Sequence, residues 1–314
     1  MRTVLVTGGA GFLGSHVCDR LLAQGERVVA IDDLSAGRIA NLAEARTYGT
    51  SFTFYNMDPR AERFDQLLDR HRPEVVVHLA GRPLAGAIDE PLADAERTVI
   101  GTLRLLEGCA RIGARKVIFA ARGDAFYGDA KKVPVAERTY SASHPRSPEG
   151  ISRRVVLDYL AAYERYRGLD WVALALANVY GPRQDPHGEA GVVAIFAGRL
   201  LDRQPVVIFG DGSQTRDFVF VEDVADAFVR ASDRAGGVLC NIGTGVETSV
   251  GELYAVMAAL AGSSTPPGHA AARPGEVARS ALDPARALIH LGWRPFTTLE
   301  EGLALTLEHF RSQR

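Results

Sequence analysis

Cysteine is scarce in this chain. Cys18, Cys109 and Cys240 are odd in number and lie far apart along 314 residues, which fits buried thiols in a reducing compartment better than a disulfide framework or a zinc site. An excess of charge of either sign is also missing. The 36 basic and 38 acidic side chains leave a formal net charge of −2, and with a pI near 6.5 there is no global field to draw nucleic acid or an anionic membrane surface. Neither is expected as a partner. No apolar run is long enough to span a bilayer, and the start, MRTVLVTGG, enters structure with an apolar stretch too short for a signal peptide. The expected location is cytoplasmic. Internal repeats and low-complexity tracts are lacking, and the histidines have no metal-like spacing, so no metal is expected. A composition 46% hydrophobic and 24% charged is that of a globular chain with one sizeable core or two modest ones.

What is present is an alternation. Short runs rich in valine and isoleucine, TVLVTG, RVVAID, EVVVHLA, KVIFAA and WVALALANVYG, are separated by helical patterns at 12–24, 92–111 and 149–166. This is the rhythm of a parallel sheet with crossover helices. In the last helix Ile151, Val155, Tyr159 and Tyr163 follow helical spacing, yet Val156 and Leu160 are apolar off that stripe. A helix apolar on two sides wants a second partner, so the helices 92–111 and 149–166 predict either a homodimer or two plain core helices. Beyond residue 180 the loops GPRQDPHGEAG, GDGSQTRD and ARPGE turn to Gly, Pro and Asp, as binding loops on a rigid scaffold do.

The segment TGGAGFLGSH, residues 7–16, ends the first strand and opens the first helix. Gly8, Gly11 and Gly14 fit a turn in which missing Cβ atoms let the backbone approach a pyrophosphate, while the helix amino terminus attracts its charge. The second strand ends in Asp32 and Asp33, at the distance expected of an acid that binds the adenosine ribose. A carboxylate there repels a 2′-phosphate, which favours NAD over NADP and disfavours an NADP- or flavin-dependent reductase. Asp58 reads as an adenine contact or as a surface turn. The expected fold is α/β, a Rossmann-type doubly wound parallel sheet with a smaller carboxy-terminal α/β substrate domain. Its expected boundaries are 1–177 for the cofactor domain, with roughly 215–250 crossing back, and 178–314 for the rest.

Nearly the whole chain resembles the extended short-chain dehydrogenase/reductases, in particular the NAD-dependent epimerase/dehydratase group that contains UDP-glucose 4-epimerase. TGGAGFLGSH, DDLSAGR, VVVHLAG, GTLRLLE, YGD, NVYGPRQDPHGEAGVV, FGDGSQTRDFVFVEDVA, NIGTG, RPGEVARS and LGWRP occur in the family's order. The resemblance implies that Phe12, Leu13, Ser35, Gly37, Leu79 and Ala80 join the glycines and acids in holding NAD. It also implies a nucleoside-diphosphate sugar, a UDP-sugar first, in the carboxy-terminal domain. Asn178 would then contact the diphosphate, the backbone of Gly191, Val192 and Val193 together with Ile208 the base, and Arg216, Arg273 and Glu276 the phosphates and ribose. Independently, Arg216 and Arg273 lie in polar loops and could grip phosphate oxygens, although each alone also reads as a surface ion pair.

In that family a serine or threonine, a tyrosine and a lysine normally move the proton that accompanies hydride transfer. The corresponding positions here read Arg122, Glu149 and Arg153, with Thr98 for an asparagine and Leu176 for a tyrosine. A guanidinium is not deprotonated in a protein, so neither arginine can be the base. Glu149 could accept a proton, but flanking cations hold it ionised and weakly basic. Ordinary 4-epimerisation is therefore expected to be absent or very slow. The chain would then bind NAD and a nucleotide sugar as a sensor, or as a silent partner in an oligomer with an active relative. Three readings stand beside this one. The first is an active epimerase, or a UDP-hexuronic acid-modifying enzyme, with Glu149 as acid/base, or else Tyr127 or Asp124. The second is an arginine pair that binds a substrate carboxylate. The third is an ion-pair network that merely fills the pocket. Tyr127 reads as structural, and His78 as a core or cofactor-wall residue.

Overall fold

The computed structural model describes residues 1–79, 88–128, 130, 132–142, 144–145, 147–186, 191–273 and 277–314. The branched runs form a parallel sheet of seven strands: β1 (Thr3–Thr7), β2 (Arg27–Asp32), β3 (Phe52–Asn56), β4 (Val75–His78), β5 (Lys116–Arg122), β6 (Asp170–Leu176) and the strand Val238–Ile242. Across the sheet the order is Val238–Ile242, β6, β5, β4, β1, β2, β3. Val4 pairs with Val28 on one side and Val75 on the other, so the direction of winding reverses at β1. Side chains alternate between faces. Val4, Val6, Val28 and Ala30 enter one core, while Leu5, Val29 and Ile31 enter the other. Helices cover both faces, which makes the sheet doubly wound and opens a crevice at the carboxyl ends of the strands beside β1.

A smaller α/β unit follows. Helices Val192–Leu201, Val250–Ala261 and Leu299–Ser312 pack around Tyr180, Phe196, Ile208, Leu253 and Met257. Among the described residues three two-stranded pairs accompany them: Asn178–Tyr180 with Phe218–Phe220, Thr215–Arg216 with Thr248–Ser249, and Val207–Phe209 with Gly268–Ala270. Between these pieces the chain supplies the helix Val221–Asp233, which packs on the helix Phe12–Ala23, and the edge strand Val238–Ile242.

The helix Pro148–Arg167 positions the site. Ser147 caps it by accepting the Gly150 N–H at 3.1 Å, and Gly168 ends it at φ +69°. Glu149, Ser152, Arg153, Val156, Leu157 and Leu160 face inward. Ile151, Val155 and Tyr159, four residues apart, form a second stripe exposed by 52%, 36% and 39%. Gly150 is required by contact, since a Cβ there would lie 2.1 Å from the Ala125 carbonyl oxygen. No helix among the described residues is long and apolar enough to cross a membrane.

Candidate active site

At the winding reversal, Gly8, Gly11, Phe12, Leu13, Gly14, Leu79, Ala120, Ala121, Arg122, Arg153 and Leu176 line one cleft of about 220 Å³. A Cβ on Gly14 would lie 2.0 Å from the Gly8 carbonyl oxygen, so only glycine lets the helix Phe12–Ala23 begin this close to the turn. Asp32 ends β2 and is buried. Its Oδ2 accepts the Ala10 N–H at 3.0 Å and its Oδ1 the Leu34 N–H at 2.8 Å, with Gly37 packed against both oxygens. Burial pushes this carboxyl up, and those backbone N–H groups work against the rise. Asp33 is exposed and accepts from Ser35, N–H at 2.9 Å and Oγ at 2.5 Å. Asp58 follows β3 and is clasped by Arg60, whose Nε lies 3.0 Å from each carboxylate oxygen. Burial raises that carboxyl, but the Arg60 hydrogen bonds outweigh it and leave it below the ordinary value.

The three residues expected at the chemical centre sit together. Glu149 is 1% exposed. Its Oε1 accepts from Arg153 Nε at 3.1 Å, whereas its Oε2 has no hydrogen-bond donor among the described residues. Arg153 Nη1 also donates to the Ala120 carbonyl at 2.6 Å, which draws the guanidinium onto the end of β5. Arg122 forks onto Asp124, with Nε to Oδ1 at 3.1 Å and Nη2 to Oδ2 at 2.6 Å. The Asp124 charge, with Glu149 adding to it, raises the Arg122 guanidinium above its ordinary value. Burial pushes the Asp124 carboxyl up, but Arg122, helped by Arg216, brings it below its ordinary range. Arg216 comes from the smaller unit, so Asp124 lies where the two units' charges meet.

Other candidates resolve differently. The Tyr127 hydroxyl donates to Asn241 Oδ1 at 2.7 Å and is driven upward by burial, which makes it structural. His78 lies buried between Thr7 Oγ1 (2.7 Å) and Thr102 Oγ1 (3.0 Å). Burial first, then Arg153, lowers it to about 3, so it stays neutral. Asn178 donates its N–H to the Asp217 carbonyl at 2.8 Å. Gly191 caps the helix Val192–Leu201, with Val192 part-buried and Val193 buried. The Ile208 side chain is turned into the core and 2% exposed, so strand alternation presents Val207 and Phe209 outward instead. Arg273 stacks its guanidinium 4.2 Å from the Phe209 ring centroid, an aromatic partner that sequence reading missed. Ala80 and Glu276 lie outside the described residues.

A two-sided sheet reversing at a glycine turn, with an acid closing β2, defines a dinucleotide-binding enzyme class. The family description of the NAD dependent epimerase/dehydratase family matches residues 4–243, and the chain belongs to that family. Its cofactor is NAD, and the turn and cleft fit one. Over 315 residues the chain is 46% identical to the UDP-glucose 4-epimerase of Mycolicibacterium smegmatis, covering 100% of this chain and 99% of the relative. Among solved structures it is similar to the UDP-glucose 4-epimerase of Thermotoga maritima with UDP-glucose, at 42% identity and TM-score 0.95, covering 99% of each chain. It is also similar to the Thermus thermophilus UDP-glucose 4-epimerase in complex with NAD, at 39% identity and TM-score 0.90, covering 98% of this chain and 99% of that one.

These similarities overturn the expectation of an atypical centre in a non-catalytic binder. Likeness at 46% and 42% identity to proteins named as epimerases runs through essentially the full length, and it speaks for a working enzyme. The residue types at 122, 149 and 153 are facts of the sequence. The inference from them to lost turnover is what fails, because it set both guanidiniums against Glu149 without the hydrogen-bond partners that each of them takes. Arg122 is instead occupied by Asp124, and Arg153 reaches only one Glu149 oxygen.

Proposed function

We propose that this chain is an active NAD-dependent nucleotide-sugar 4-epimerase acting on a UDP-hexose, with Glu149 as its acid/base. One observation carries the proposal: a buried carboxylate oxygen, Glu149 Oε2, without a donor among the described residues. A buried acceptor without a donor is unfavourable, and a substrate hydroxyl is the donor that relieves it. Held in the cleft at Gly8, Gly11 and Gly14, NAD would supply a hydride acceptor for the sugar carbon and a donor to the opposite face of the resulting carbonyl, which is what inverts that carbon. As the sugar C–O bond becomes a carbonyl, Glu149 Oε2 takes the hydroxyl proton, and it returns that proton when the hydroxyl re-forms. Arg153 holds Glu149 through Oε1 and borders the cleft, where its fixed charge steadies the cofactor side of the site. Arg216 and the Phe209-stacked Arg273 supply cations for the phosphates and ribose, Asn178 contacts the diphosphate, and the backbone of Gly191, Val192 and Val193 meets the base.

A UDP-hexuronate is the second reading. It is favoured by Arg122, whose side chain remains 41% exposed after pairing with Asp124 and so offers an edge to a carboxylate. In both readings the exposed stripe Ile151, Val155 and Tyr159 meets a second copy of this chain. Wild-type protein incubated with NAD and, separately, UDP-glucose, UDP-galactose and UDP-glucuronate is expected to produce the 4-epimer of at least one. Glu149→Gln is expected to lower that rate about 10²- to 10⁴-fold, the cost of a missing general base. An unchanged rate removes Glu149 from the role.

A further inference from the structure

A carboxylate taken out of water without a cation beside it is costly unless hydrogen bonds compensate. Asp94 is such a group. It is 0% exposed, and no ion pair to it forms among the described residues. Its Oδ1 accepts the Thr98 hydroxyl at 3.3 Å and its Oδ2 the Ser152 hydroxyl at 2.7 Å. Those donors come from different elements. Thr98 lies in the wide turn Glu96–Ile100 that leads into the helix Gly101–Ile112, whose Thr102 meets His78 at the end of β4. Ser152 lies on the helix Pro148–Arg167, three residues after Glu149 and one before Arg153.

A helix turns by about 100° per residue, so one directional bond near its start fixes the heading of its neighbours. The second turn of this helix is held on one side by Arg153 on the Ala120 carbonyl and on another by Ser152 on Asp94. An apolar filler would pack this space without the desolvation cost of a carboxylate, but it could not accept a hydroxyl and fix rotation. We infer that Asp94 is a positioning residue that acts through Ser152 to set the rotation of the helix carrying Glu149 and Arg153. For Glu149 the inference rests on the proposed function, and for Arg153 it is readable without turnover.

The test uses full-length Asp94→Ala, Asp94→Asn, Ser152→Ala and the double Asp94→Ala/Ser152→Ala, measuring kcat, KM for UDP-glucose, NAD affinity and Tm. Ser152→Ala and Asp94→Ala should each lower kcat about 10²-fold, the size of a small misplacement. KM should stay within about 3-fold, since sugar binding is not what is lost. NAD affinity should weaken to the same degree in both. The double variant should fall no further than either single. Asp94→Asn, whose amide oxygen still accepts the Ser152 hydroxyl, should recover most of kcat. Multiplying losses in the double variant, or a lowered Tm with kcat and NAD affinity unmoved, overturns the inference. If Asp94→Ala does not fold, Ser152→Ala decides the matter. If the wild type shows no turnover, the NAD measurements still decide it while the proposed function falls separately.

Discussion

At position 149 one carboxylate oxygen is held by Arg153 and the other has no donor among the described residues. Sequence reading gave the residue types and their proximity but could not apportion the hydrogen bonds between them. It took Arg122 and Arg153 as jointly quenching Glu149, whereas Arg122 spends its fork on Asp124 two residues away. Asp94 carried no sequence signal either, because its partner Ser152 is 58 residues distant. The cofactor turn was legible because its constraint is local: the helix Phe12–Ala23 can pack this close to Gly8 only if position 14 has no Cβ.

His78 gives a residue-scale prediction in pH. Its folded value lies near 3 against 6.5 for the free side chain, so the unfolded chain binds the proton first as pH falls. Stability from this group is therefore complete above about 6.5 and is lost as pH drops toward 3, with a slope of at most about 1.4 kcal/mol per pH unit. His78→Gln should flatten the acid limb of a Tm-against-pH curve between those values. A limb as steep as the wild type's would show that another group controls it.

At the scale of elements, the sheet and its crossover helices follow from periodicity, and the predicted helix at 149–166 matches Pro148–Arg167 closely. Two apolar stripes on that helix were also visible in the sequence, but which one faces the core was not. The structure buries Val156, Leu157 and Leu160 and exposes Ile151, Val155 and Tyr159, because the inward face must also carry Glu149, Ser152 and Arg153 to the sheet edge. The closeness of that docking predicts a sharp steric effect. Gly150→Ala would place a methyl 2.1 Å from the Ala125 carbonyl oxygen, and relief requires the helix to back away. We expect a loss of about 1–3 kcal/mol in denaturant unfolding with a larger fractional fall in turnover than in UDP-glucose binding. A variant of wild-type stability and rate would mean that the helix start is loose.

For the whole molecule, resemblance and comparison agree on the family, and charge balance agrees with small-molecule ligands. Composition could not reveal how Arg216 of the smaller unit reaches the electrostatic neighbourhood of Asp124 on the sheet side, since that depends on how the units pack. The exposed stripe predicts assembly at this scale. Wild-type protein should elute with twice the chain mass in size-exclusion chromatography with light scattering, and Ile151→Glu/Tyr159→Glu should shift it to a monomer by placing carboxylates at a buried apolar contact. A monomeric wild type would refute that contact.

The account as a whole depends on proton transfer at Glu149, and turnover of wild type against Glu149→Gln under saturating NAD and nucleotide sugar tests it most directly. It predicts 4-epimer formation by the wild type and a rate lower by about 10²- to 10⁴-fold in the variant, with NAD and UDP-sugar still bound. A wild type that binds both ligands yet forms no epimer from any of the three sugars, or a variant as fast as the wild type, would contradict it.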